Sequence, residues 1–226
     1  MDLSTLRVFS GNSNPRLAAD IAANLGVASG KMLVTRFADG EIRVKVEESV
    51  RGMDVFIVQP TCCPINEAIM ELMIILDAFR RASARRITVV IPYYGYARQD
   101  KKLGPREPVT ARLIANMITL AGASRVLTLD LHAGQIQGFF DLPVDHLVAA
   151  PLIARWVEQN IRPNGPLCVV SPDVGGVARA RAFAELLGAP ISIIAKRRPE
   201  PNKCEVKEII GDRSEERRVG KECRSR

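Results

Sequence analysis

An α/β fold of parallel strands and crossover helices is what this sequence predicts, on two observations. Short apolar clusters alternate with stretches of helical periodicity from one end to the other, and polar loops rich in glycine, proline or charge follow the apolar clusters. In such folds ligands sit in loops at the carboxyl ends of the strands, so the functional residues are sought there.

Leu6, Val8 and Phe9 predict a first strand, which runs into Gly11-Asn12-Ser13-Asn14-Pro15. Asn14 suits a helix cap and Pro15 the first helical position, while Leu17, Ile21 and Leu25 share one face and Gly26 ends the helix. Strands follow at residues 32–35, at the alternating Ile42, Val44 and Val46, and at the buried run 55–58. Pro64 opens the longest helix, whose stripe of Ile65, Ile69, Leu72, Met73, Leu76 and Phe79 reads as core. A strand at 87–91, a polar loop through Glu107, a helix carrying Leu113, Ile114, Met117 and Ile118, and a strand at 126–129 come next. After Pro151 the series repeats: a helix to Gln159, a strand at 167–170, a helix at 177–187 and a strand at 191–195. Residues 141–150, with Pro143, read as the boundary between two similar lobes, and Asp141 and Asp145 as turn caps.

Composition narrows the class by exclusion. Hydrophobic residues at 47% and charged residues at 25% suit a folded globular protein. No apolar run reaches the roughly 18 residues of a membrane helix, and the N-terminus has no signal-peptide pattern, so a cytoplasmic protein without a membrane partner is expected. The five cysteines form no C-x-x-C pair and the two histidines complete no zinc spacing. A net charge of +7 invites a nucleic-acid reading, but the basic residues are scattered and aromatic residues are few. Small phosphorylated substrates account for the charge equally well, and no nucleic-acid partner is expected.

Neither Gly30-Lys31 nor Gly220-Lys221 completes a Walker A sequence, so a nucleotide must be held by other loops. Residues 92–102 pack Tyr93, Tyr94, Tyr96, Arg98, Lys101 and Lys102 into one loop. It reads either as rings for a base with cations for phosphates, or as a solvated loop pinned by tyrosines. Asp130 and His132, two apart after a strand, point the same way if the strand continues, which suits a metal-phosphate site, with histidine acting through water. Taken alone, His132 also fits a hydrogen-bonded structural role. Ser171-Pro172-Asp173-Val174-Gly175-Gly176 precedes a helix, so Gly175 and Gly176 fit a diphosphate cradle with Asp173 on the cation, or a turn that needs glycine. Lys196-Arg197-Arg198 opens a cationic loop on the expected ligand side, favouring polyphosphate chemistry over a merely solvated charge run.

The order of these segments resembles the ribose-phosphate pyrophosphokinase family from about Arg7 to Asp212. Asn12-Ser13-Asn14-Pro15, Arg36-Phe37-Ala38-Asp39-Gly40-Glu41, residues 92–100, Asp130-Leu131-His132, residues 135–141, residues 173–176 and residues 196–199 carry the resemblance. It implies two phosphoribosyltransferase-like lobes with parallel sheets and crossover helices, at 1–145 and 146–212, the second lobe incomplete. It implies transfer of the diphosphoryl group of magnesium-bound ATP to the C1 hydroxyl of ribose 5-phosphate in a homo-oligomer, commonly a hexamer. Phe37, Asp39, Gly40 and Glu41 would meet adenine and ribose from a neighbouring subunit, and Arg98 and Gln99 the nucleotide from their own. Asp130, His132 and Asp173 would organise Mg2+, Gly175 and Gly176 would line the phosphates, and Lys196 and Arg198 would neutralise the charge that develops during transfer.

Ala195, Glu200 and Leu103-Gly104-Pro105 depart from the family's pattern and are expected to tune these loops. The Thr/Gly-rich loop that takes the sugar 5-phosphate has no counterpart before residue 213, so the 226 residues are expected to be inactive by themselves. A non-catalytic regulatory subunit is the alternative, and intact Lys196, Arg198, His132 and Asp173 argue against it. Residues 213–226 hold six basic and three acidic residues and resemble the translation of a sequencing adapter, so they are expected to be a non-native tail carrying three of the seven net charges.

Overall fold

The structure, a computed structural model, describes residues 3–162, 165–197 and 205–210. They fall into two compact units, one through Val148 and one from Ala149. Residues 213–226 and Arg198 lie outside the described residues.

In the first unit five strands form one parallel sheet: β1 (Leu6–Ser10), β4 (Asp54–Val58), β5 (Arg86–Ile91), β6 (Arg125–Leu129) and β7 (Val144–Leu147), in that spatial order. Crossovers run through α1 (Pro15–Leu25), α2 (Ile65–Arg81) and α3 (Thr110–Ala121). Alternation along each strand decides which face meets which helix. Val55, Ile57, Ile87, Val89 and Ile91 join the α2 and α3 side, while Leu6, Val8, Val58 and Val90 join Ala18 and Ala22 of α1. The cap of α1 forms as its sequence requires: the Asn14 side chain accepts from the Leu17 N–H at 3.0 Å, and Gly26 closes the helix at φ +68°.

The expected stripe of α2 is core for Ile69, Leu72, Leu76 and Phe79, with Ile65 and Met73 only partly buried. On α3, Ile114 and Ile118 are buried, but Leu113 is exposed, because its position on the helix faces away from the sheet. Two expected strands, β2 (Met32–Arg36) and β3 (Ile42–Val46), are not part of the parallel sheet. They form an antiparallel hairpin whose inner residues Met32, Val34, Val44 and Val46 pack on the α2 side of the core. Five intervening residues close a hairpin, whereas a parallel connection needs a longer crossover.

Within the stretch 141–150, read as the boundary between lobes, residues 144–147 form the edge strand β7 of the first unit, and the two units divide after Val148. Asp145 therefore caps no turn: it pairs with Arg125 of β6 at 2.7 Å. At the amino end of the sheet, the buried Asp54 accepts two-pronged hydrogen bonds from both Arg85 and Arg86, with contacts of 2.6–3.0 Å. These charge-assisted bonds hold its carboxyl well below the usual carboxylate range against the opposing effect of burial. The clamp lies at the end of the strands opposite the ligand-side loops, so its contribution is to stability.

The second unit contains α4 (Ala150–Asn160), α5 (Val177–Leu187) and a three-stranded sheet in the order β10 (Glu205–Ile210), β9 (Ile191–Arg197), β8 (Val169–Ser171). β8 and β9 are parallel, as the alternation predicts, and β10 pairs antiparallel to β9. β10 is absent from the sequence reading because acidic and basic residues interrupt its apolar ones. β9 also runs further than expected, so Lys196 and Arg197 are strand residues and not the start of a loop. Among the described residues no helix is long and apolar enough to cross a membrane.

Candidate functional site

Four loops leave the carboxyl ends of the parallel strands of the first unit, after β1, β4, β5 and β6, and those after β5 and β6 hold Arg98, Gln99, Asp130 and His132. The loop after β5 divides its three rings between different tasks. Tyr94 is buried, its hydroxyl donates to the Ala111 carbonyl at 2.9 Å, and burial pushes its ionisation up. It is a core anchor and not a stacking surface, which corrects the reading of three available rings. Tyr93 is exposed. Tyr96, at φ +61°, donates to Asn66 Oδ1 on α2 at 2.5 Å. Arg98 and Gln99 are exposed on the same loop, and the Gln99 side chain accepts from the Thr110 hydroxyl at 2.5 Å, tying the loop to the start of α3.

The tip of the β2–β3 hairpin carries Phe37, Asp39, Gly40 and Glu41, all exposed. Its shape follows from local chemistry. Gly40 adopts φ +96°, a conformation that suits glycine, and the Asp39 carboxylate accepts from the Glu41 N–H at 3.1 Å. Phe37 receives the Arg43 guanidinium 5.8 Å from its ring centroid. Arg36 crosses to Glu67 on α2 at 2.5 Å. Between tip and helix lies a cavity of about 460 Å³ lined by Arg36, Gly40, Glu41, Asn66, Glu67 and Met70, among others. Tyr96 and Arg36 thus land on consecutive residues of α2, and the loop after β5 and the hairpin tip flank the same helical turn.

Asp130 and His132 follow β6, but the strand stops at Leu129 and Asp130 turns at φ +44°. The expectation of two side chains aligned along a continuing strand is therefore corrected: they are two exposed residues of a turn, with the buried Leu131 between them. His146 of β7 holds this turn, its Nε2 accepting from the Leu131 N–H at 3.0 Å. Among the described residues no three metal-ligating side chains cluster. Magnesium is commonly held by one or two carboxylates with waters and phosphate oxygens, so an exposed Asp130 fits that chemistry better than a closed all-protein cage.

In the second unit Asp173 caps the short turn before α5, and its carboxylate accepts from the Gly176 N–H at 2.8 Å. That N–H is already engaged by Asp173, which corrects the picture of a fully open cradle. Gly176 lies at φ −85°, so backbone angle does not demand glycine. A Cβ there would sit 3.0 Å from Ser171 Oγ, a tight contact that the serine side chain would have to relieve by a few tenths of an ångström. Lys196 is placed on β9, and Arg198 lies outside the described residues.

Sequence reasoning missed one polar cluster beside these loops. Glu71, on the core face of α2, is buried and accepts from the Asn12 N–H at 2.7 Å, the Asn12 side-chain amide at 3.0 Å and the Gln59 side-chain amide at 2.9 Å. Gln59 in turn accepts from the Ser13 N–H at 3.3 Å. Gly11 has to be glycine, because a Cβ would lie 2.1 Å from Gln59 Oε1. The signal was present: a carboxylate one residue before Leu72, inside an apolar stripe, calls for buried donors.

A sequence profile for the N-terminal domain of ribose phosphate pyrophosphokinase matches residues 6–122. A ribose-phosphate pyrophosphokinase of Clostridium perfringens is 57% identical over 208 residues, covering 92% of this chain and 65% of the relative. One of Brucella melitensis is 57% identical over 218 residues, covering 96% and 68%. The crystal structure of a phosphoribosylpyrophosphate synthetase from Mycobacterium smegmatis superposes with a TM-score of 0.84 at 43% identity, covering 92% of this chain and 67% of that one. The chain thus spans about 65% of the length of the first of these relatives.

Proposed function

Because the chain belongs to the ribose-phosphate pyrophosphokinase family, we propose that its loops serve transfer of the β,γ-diphosphoryl group of Mg-ATP to the C1 hydroxyl of ribose 5-phosphate. The observation that carries this reading is the exposed Phe37–Glu41 tip over a cavity lined by both charged and apolar side chains, flanked by the loop that presents Arg98 and Gln99. An aromatic ring beside hydrogen-bonding carboxylates suits a nucleoside, and a guanidinium suits its phosphates.

In this reading Phe37, Asp39, Gly40 and Glu41 take the base and ribose of a nucleotide, donated across a homo-oligomer such as a hexamer, and Arg98 with Gln99 takes phosphate. Asp130 and His132 of the first unit and Asp173 of the second each organise magnesium, His132 through water. Gly175 and Gly176 give phosphate close access to backbone, and Lys196 and Arg198 supply positive charge. The C1 oxygen forms one bond to β-phosphorus while the bond from that phosphorus to the bridging oxygen breaks. AMP leaves with the bridging oxygen, and the hydroxyl proton passes to solvent. Magnesium, when bound, screens the phosphate charge that would repel the incoming oxygen. The protein's share is positioning and charge, with no covalent intermediate.

The 226 residues alone are proposed to bind nucleotide without turnover. A chimera completed with the remaining third of the Brucella melitensis relative should release AMP from Mg-ATP only when ribose 5-phosphate is present. Release without the sugar phosphate, or orthophosphate as the product, would show a different reaction; rapid AMP formation by the 226 residues alone would refute their inactivity.

A further inference from the structure

Glu67 and Glu71 sit one turn apart on α2, and each reaches the β2–β3 hairpin by a different route. Glu67 takes Arg36 directly, near the hairpin tip. Glu71 works through a neighbour: the Asn12 side-chain amide donates to Glu71 Oε2 at 3.0 Å and to the Val34 carbonyl of β2 at 3.4 Å. Asn12 is itself oriented by its own backbone N–H, which donates to Glu71 Oε1 at 2.7 Å. The loop after β1 is therefore a strut between a buried carboxylate and the middle of β2.

The donors around Glu71 define what it must be. Three N–H groups converge on two oxygens, from Asn12 twice and from Gln59 once, so every contact asks for an acceptor. A carboxylate meets all three. A glutamine of the same size would turn an NH2 toward at least one donor and lose that bond. Gly11 and Gln59 keep the loop close enough for this, since no Cβ fits between them.

We propose that Glu71 is a positioning residue for the Phe37–Glu41 turn, acting through Asn12, and this role in nucleotide recognition rests on the reading of that turn given above. The network ties three segments to one point: the loop after β1, the end of β4 and the hairpin. A shift of α2 is then transmitted to the tip by two routes, and Glu71 fixes the register of the stem beneath it.

Backbone hydrogen exchange across β2 and β3, together with Mg-ATP affinity, separates positioning from simple stability. In Glu71→Gln the amides of β2, β3 and Phe37 should exchange about tenfold faster, while those of β5 and β6 change little. Asn12 is exposed, so Asn12→Ala spares the core and decides the matter if Glu71→Gln does not fold. It should produce the same acceleration, and the double variant should be no faster than either single one, because both break one path. Effects that multiply in the double variant, or a folded single variant with unchanged hairpin exchange, overturn the proposal. Should the unsubstituted chain fail to bind Mg-ATP, the nucleotide reading falls, while the exchange data still decide whether Glu71 holds the hairpin.

Discussion

Replacing Phe79 by alanine is expected to lower the stability of the first unit by about 3–5 kcal/mol, the range found for emptying an aromatic site in a close-packed core. Phe79 is fully buried near the end of α2 and meets Phe9 of β1 edge to face at 4.6 Å between ring centroids. It is one of the side chains through which the helix and the edge strand share a core, so its loss leaves a cavity that neither element can close alone. All three tyrosines lie in this unit. Denaturant unfolding followed by the NMR ring resonances of these tyrosines therefore reports on it separately from Trp156 of the second unit, and the midpoint should fall steeply with little change in slope. A loss below about 1 kcal/mol would mean the core relaxes around the gap and is not close-packed there.

Asp54→Asn is expected to cost about 2 kcal/mol at neutral pH. Removing one partner of a buried ion pair often costs about 3–5 kcal/mol, but Arg85 and Arg86 are more than half exposed and water screens them once the carboxylate is gone. The pH dependence has a definite sign. The folded carboxyl is held below its unfolded value, so its contribution is complete above about pH 4 and disappears as pH falls toward the depressed folded value. Stability curves of the parent and Asp54→Asn should therefore lie apart at pH 7 and converge below pH 4. A constant separation down to pH 2 would assign the stabilisation to something other than the ionised pair.

The fold was legible where apolar periodicity and parallel pairing coincide. β1, β4, β5 and β6 and the helices between them follow from alternation alone, because strands buried on both faces read as continuous apolar runs. β7 was hidden, since Val144-Asp145-His146-Leu147 is an edge strand with polar residues and one neighbour only. The hairpin partnership of β2 and β3 was hidden as well, because period two marks a strand without naming its partner. No local pattern marks Arg85 and Arg86 as partners of Asp54, which the register of β4 and β5 sets opposite Arg86.

The candidate site was legible as loops and less so as geometry. Sequence order placed Arg98, Gln99, Asp130 and His132 after strands, where the sheet indeed presents them. It could not distinguish Tyr94, whose hydroxyl is consumed by the Ala111 carbonyl, from the exposed Tyr93. Nor could it show that Asp173 engages the Gly176 N–H, or that Glu71 reaches the hairpin through Asn12. The Tyr94 and Glu71 contacts join residues far apart in sequence whose pairing no local pattern encodes, whereas Asp173 is a local cap read instead as a cation ligand.

Calorimetric titration of Mg-ATP into this chain, with and without Arg98→Ala, addresses the nucleotide reading most directly. The parent should bind saturably and only with magnesium present, and loss of the guanidinium should weaken binding at least about tenfold, equivalent to about 1.4 kcal/mol. Absence of saturable heat, or an affinity indifferent to both magnesium and Arg98, would contradict it.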